Sequence, residues 1–222
     1  MKPHLVIAVY NENIDWINNI DTNIFDIFIY NKGSKNITNK NCKIIPLENI
    51  GRESHTYLYH IIENYDNLPN KIIFFQGHPH DHVSSDFIFQ INNFHRSDTN
   101  FHNFTKYYLN IKHNISINKL EESGILQTNN RYIQYKNYHE LNCPLVEVFK
   151  KIYGFIDINN IYIEFIPGAN FGVNKANIIN KSKNFYIKCI DILKTSNNLI
   201  NPDEGHSFER LWKFIFTNKE HL

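Results

Sequence analysis

Between positions 78 and 82 the chain reads His-Pro-His-Asp-His, so three imidazoles and a carboxylate stand within five residues. Side chains of these types can hold Zn²⁺ or Fe²⁺, which makes His78, His80, Asp81 and His82 the candidate metal ligands. The chain carries 12 histidines, and with that many some clustering is ordinary. A second group is Gly51-Arg52-Glu53 at the start of an apolar-striped segment. Backbone N–H groups at a helix start and a guanidinium fork beside them would suit a phosphate or carboxylate; the plainer alternative is an ordinary first helical turn in which Arg52 pairs locally. A third group is Tyr10-Asn11-Glu12 with Asn31-Lys32, each set closing an apolar run. Their side chains can hydrogen-bond a base, a ribose or a diphosphate, or with Gly33 can simply make turns.

The elements that must position these residues follow from periodicity. LVIAVY at 5–10, DIFIY at 26–30, CKIIPL at 42–47 and KIIFFQG at 71–77 are apolar runs of strand length, as expected for strands buried on both faces. Ile14, Ile17 and Ile20 recur at helical spacing between the first two, and Tyr57, Leu58, Ile61, Ile62 and Tyr65 form a stripe after Gly51. Strand alternating with helix predicts an α/β fold with a mostly parallel central sheet flanked by helices, and ligands beyond the carboxyl strand ends. Those ends bring together Asn11, Asn31, the 49–53 segment and the 76–82 segment. The stretch from 96 to 140 is polar, aromatic and poorly periodic and reads as an insertion or lid within a single 1–222 domain. A helix at 144–151, a strand at 161–166 and helices near 183–195 and 207–217 follow. In PGANFGVNK small residues let a backbone pass close to a ligand or to another strand, and Asn170 could point into the site.

Composition narrows the function. With 23 basic and 22 acidic side chains the formal net charge is +1, so no broad field grips a phosphate backbone and nucleic acid is not an expected partner. The 13 Tyr and 17 Phe supply a core without disulfides, and Cys42, Cys143 and Cys189 lie too far apart for a zinc knuckle or redox pair. No apolar run approaches a membrane span and the first strand opens almost at Met1, so the cytoplasm is the expected location, or the host cytoplasm or virion if the chain is viral.

Taken together, Tyr10 to Trp16, Gly51-Arg52-Glu53 with Thr56-Tyr57-Leu58 and Asn64 to Pro69, PGANFGVNKANI with Phe185-Tyr186, and Glu209-Arg210-Leu211-Trp212 with Phe214 to Phe216 resemble the family called domain of unknown function 3431. Its members are similar in outline to glycosyltransferases of the GT-A fold, a nucleotide-diphospho-sugar transferase architecture. The resemblance implies transfer of a sugar from a nucleotide sugar to an acceptor. The donor would lie against Tyr10, Asn11, Glu12, Asn31, Lys32, Gly51, Arg52, Glu53, Tyr57, Gln76, His78 and Asn170. Asp203, Glu204 or Glu209 would deprotonate the acceptor. It also implies Mn²⁺ or Mg²⁺ held by Asp-x-Asp at the end of the fourth strand, where this chain has Gln76-Gly77-His78. That departure leaves a rearranged metal site or a metal-free one using Arg52 and histidine. The alternatives are a metal-dependent hydrolase centred on His78 to His82 and a non-catalytic nucleotide- or glycan-binding module.

Overall fold

The structure, a computed structural model, describes residues 1–123, 143–154 and 157–218. Its frame is a six-stranded sheet in the order β3-β2-β1-β4-β8-β5, formed by β1 (His4–Val9), β2 (Asp26–Asn31), β3 (Cys42–Pro46), β4 (Lys71–Gln76), β5 (Phe101–Asn103) and β8 (Phe171–Asn174). β1 runs parallel to both β2 and β4, and β2 to β3, while β8 is antiparallel to β4 and β5. A separate antiparallel pair joins β6 (Lys112–Ser116) to β7 (Tyr162–Phe165).

β1 is paired on both edges, with β2 and β4, and every one of its residues is buried. Its side chains alternate between two cores, Val6 and Ala8 facing one and Leu5, Ile7 and Val9 the other, as a strand covered on both faces requires. The first core is roofed by α1 (Arg52–Asn64), α4 (Leu145–Tyr153), α6 (Lys183–Lys194) and α7 (Asp203–Thr217). The second lies under α2 (Phe87–Phe94) and the 3₁₀ turn Asp15–Asn19. The remaining helices are α3 (Ile117–Ser123) and α5 (Lys175–Ile179).

Two expected elements take other forms. The β1–β2 link is a 3₁₀ turn rather than an α-helix, because Asx side chains compete for its backbone: Asn13 Oδ1 accepts the Asp15 N–H at 2.7 Å and Asp21 Oδ1 the Asn23 N–H at 2.8 Å. Residues 96–123 of the supposed insertion supply the edge strand β5, β6 and α3, so this part is woven into both sheets; residues 124–140 lie outside the described residues. α7 starts at Asp203, earlier than the apolar stripe suggests, and Gly205 in its first turn passes the stem of Arg52. Among the described residues no helix is long and apolar enough to cross a membrane.

Candidate active-site cleft

From β1 the chain passes sideways to β2, whereas from β4 it passes the other way along the sheet, through α2 to β5, so the chain leaves the adjacent ends of β1 and β4 in opposite directions. Such a topological switch point opens a crevice beyond the carboxyl strand ends. A cleft of about 360 Å³ lies there, lined by Ala8, Val9, Tyr10, Glu12, Lys32, Asn49, Arg52, Glu53, Gln76, Gly77, His78, Asp81 and Ile200.

Its floor is the junction of β1 and β4. The Glu12 carboxylate turns back to accept the N–H groups of Tyr10 at 2.5 Å and Asn11 at 3.0 Å. Gly77 is pressed onto it: a Cβ at 77 would lie 3.0 Å from Glu12 Oε2 and 3.1 Å from the Ala8 carbonyl oxygen. One wall begins with Lys32, whose N–H bonds the Val9 carbonyl at 2.7 Å as β2 ends. Its Nζ donates to the Ile50 carbonyl at 2.5 Å and to the Arg52 carbonyl. Burial, partly offset by Glu53, lowers its pKa to about 8.

Those carbonyls belong to a left-handed entry into α1, with Gly51 at φ +64° and Arg52 at φ +50°. A non-glycine residue in that region stores strain and is held there by its surroundings. The surroundings are explicit: the Gly51 N–H bonds the Leu199 carbonyl at 2.7 Å, and Lys32 grips the carbonyls on either side. The Arg52 guanidinium lies 3.6 Å from Glu53 and donates to Asn201 Oδ1 at 3.4 Å and His206 Nε2 at 3.0 Å. Burial, with Arg52 and Arg210 beside it, lowers His206 to about 4, so its neutral ring can accept that bond. The opposite lip carries His78 and Asp81, 3.8 Å apart and both open to solvent.

The structure therefore gathers Tyr10, Glu12, Lys32, Arg52, Glu53, Gln76, His78 and Asp81 of the expected residues into one cleft and assigns the others different work. Asn11 Oδ1 accepts from Ser34 and Lys35, and Asn31 bonds the Gly33 N–H and the Lys35 carbonyl, so both amides build the turn after β2. Gly51 shapes the entry to α1. Tyr57 is fully buried and donates to the Ala169 carbonyl at 2.8 Å. Asn170 is buried behind Gln76. Asp203 and Glu204 sit in the first turn of α7 outside the cleft lining, where Glu204 Oε2 is buried without a hydrogen bond. Glu209 lies apart from the cleft: Oε1 accepts the Gly168 N–H at 2.8 Å and the side chain lines a separate cavity of about 10 Å³.

The histidine cluster does not converge. The His80 ring lies between His78 and Phe87, and His82 packs against Gly168 and Tyr107. Among the described residues no three His, Cys, Asp or Glu side chains are arranged to hold a metal. The cleft carboxylates are not gathered as the implied Mn²⁺ or Mg²⁺, with about six oxygen ligands, requires: Glu12 accepts the Tyr10 and Asn11 N–H groups, Glu53 lies beside Arg52, Asp81 faces His78, and Gln76 Oε1 faces Asn170 Nδ2 at 3.4 Å.

Three residues carry more of the site than their sequence context suggests. Ile200 lines the cleft while 60% exposed, and Asn201 and His206 hold Arg52. The visible signal was Asn201-Pro202-Asp203, a helix start; nothing local indicated that this segment folds onto Gly51. No curated protein and no solved structure matches the chain. A family model does match, over residues 5–222, and the chain therefore belongs to the family described as protein of unknown function (DUF3431).

Proposed function

We propose that this chain is a glycosyltransferase-like enzyme that binds a nucleotide sugar in the switch-point cleft and passes the sugar to an acceptor. The observation that carries the reading is the wall on which Lys32 and Arg52 meet the start of α1 at the end of the parallel strands. Two cations and a helix N-terminus favour a diphosphate there and stabilise it as a leaving group. The acceptor oxygen bonds to the anomeric carbon, the bond from that carbon to the diphosphate oxygen breaks, and its electron pair leaves with the diphosphate. The acceptor proton goes to a carboxylate. Of the acids at the cleft, Glu12 is committed to two N–H groups and Glu53 lies beside Arg52, which leaves Asp81 on the open lip. Asp81 is the general base in this reading, in place of Asp203, Glu204 or Glu209. Charge stabilisation falls to Arg52 and Lys32, with no step routed through a metal.

The test is thermal unfolding with UDP, GDP, CMP and their sugar conjugates, with and without Mn²⁺. A ligand at 100 times its dissociation constant adds about 2.7 kcal/mol of stability. A shift selective for one nucleotide, abolished by Arg52→Ala, is the expected result. Absence of any nucleotide shift, with a strong response to Zn²⁺ or chelator, would overturn the reading in favour of a histidine-centred hydrolase.

A further inference from the structure

One main-chain N–H sets the direction of two side-chain amides in series. The antiparallel pairing of β4 with β8 runs from Lys71 opposite Asn174 to Phe74 opposite Phe171, so the ladder ends before Gln76. There the Asn170 side chain replaces a strand acceptor: it is 1% exposed, and its Oδ1 takes the Gln76 N–H at 2.9 Å. Only the oxygen of an amide can accept, so Asn170 Nδ2 must be the atom facing the Gln76 side chain, 3.4 Å from its Oε1. Because Nδ2 only donates, Gln76 must turn its carbonyl toward Asn170, and its Nε2 hydrogens are directed away from Asn170 on a residue that lines the cleft.

We propose that Asn170 is a positioning residue that holds Gln76 as a hydrogen-bond donor in the cleft, so that position 76 recognises an oxygen of the bound diphosphate. The inference rests on the reading of the cleft given above. It also explains why Gln76 is chemically unlike the carboxylate expected at the end of this strand: a carboxylate recruits a cation, whereas an amide locked in this direction binds the anion itself. The same arrangement gives the buried Asn170 amide its task, since Oδ1 and Nδ2 are both used on Gln76 and neither reaches the ligand.

The test uses calorimetric titration of UDP, GDP and inorganic pyrophosphate into the full chain. Asn170→Asp keeps an acceptor for the Gln76 N–H but removes the donor, so the Gln76 amide reverses and offers its carbonyl to the cleft. The expected loss of affinity is about tenfold or more, as for a lost hydrogen bond to a charged group. Gln76→Glu leaves the Asn170 bonds in place but replaces the donor with a negative charge, and is expected to give at least as large a loss. In a Gln76→Ala background Asn170→Asp is expected to cost clearly less than in the wild type, since only its direct charge effect remains once the amide coupling is gone. Wild-type affinity in Asn170→Asp, or an undiminished loss in the Gln76→Ala background, overturns the proposal. Side-chain amide exchange by NMR reads the orientation without a ligand: the Asn170 NH₂ should exchange slowly and the Gln76 NH₂ quickly, and the reverse order overturns the assignment. A wild-type protein that shows this exchange pattern but binds none of the three probes overturns the diphosphate reading of the cleft, and the recognition role of Gln76 with it.

Discussion

Lys32 reaches from the end of β2 to the carbonyls of Ile50 and Arg52, and burial brings its ammonium down to about 8. Below that pH it is charged and adds to the anion field of the cleft; above it the amine is neutral, yet still has hydrogens for both carbonyls. Anion affinity is therefore expected to fall as pH rises through about 8, while the turn it holds stays intact. Pyrophosphate titrations from neutral to alkaline pH would check this, and a flat profile would show that Lys32 does not contribute to binding. Lys32→Met leaves both carbonyls without their donor and is expected to destabilise the fold by about 1–3 kcal/mol. Arg52 and His78 were legible as residues of the cleft because one opens the apolar stripe of α1 and the other follows an apolar run. Asn11 and Asn31 also follow apolar runs, but their amides are used on the Gly33 to Lys35 turn. No residue type distinguishes an amide that meets a ligand from one that meets a turn.

At the scale of elements, α1 begins with two left-handed residues in succession. Gly51 suits its conformation, and a Cβ there would also come within 2.7 Å of His55 Cβ. Arg52 does not suit its own, since a left-handed conformation costs an L-residue about 1–2 kcal/mol. Substitutions separate this backbone strain from the lost side chain. Arg52→Gly and Arg52→Ala both remove the guanidinium, but glycine accepts φ +50°. The glycine variant is expected to be more stable than the alanine variant by about 1 kcal/mol, measured by denaturant unfolding. Equal stabilities would mean that the turn relaxes once the guanidinium is gone. The α1 stripe was plain from Tyr57, Leu58 and Ile61, all fully buried. The strained entry was not, because it depends on the bond from Gly51 to Leu199, made by a segment far along the chain.

For the whole molecule, histidine burial sets the response to acid. His4 and His60 meet at 3.0 Å, with Tyr30 on the far ring nitrogen of His60 at 2.9 Å. Burial lowers His4 to about 4, His55 to about 3 and His206 to about 4, and takes His60 well below the ordinary imidazole value of 6.5. These rings are neutral when folded and protonate near 6.5 when unfolded. The unfolded state therefore binds more protons between 6.5 and about 4, and stability present above that window is lost as pH falls through it. Each such histidine contributes a slope of up to about 1.4 kcal/mol per pH unit. The expected observation is a Tm that drops steeply across that window in calorimetry. A constant Tm would mean that these rings are accessible to protons in the folded state.

The sequence by itself determined the first four strands of a mostly parallel sheet, the stripe of α1, and the meeting of Glu12, Lys32, Arg52, Gln76 and His78 at the strand ends, though not the order in which the strands lie. It could do so because strand and helix periodicity, and the polar residue that ends each apolar run, are local properties of the chain. Only the tertiary structure decided that β8 inserts antiparallel between β4 and β5, that Glu209 caps the Gly168 turn instead of facing the cleft, and that Ile200, Asn201 and His206 close on Arg52. These depend on partners far apart along the chain: Asn170 and Gln76 are 94 residues apart, Arg52 and His206 154. At such separations the local pattern names the hydrogen-bonding groups, and the packing of the layers chooses which of them meet.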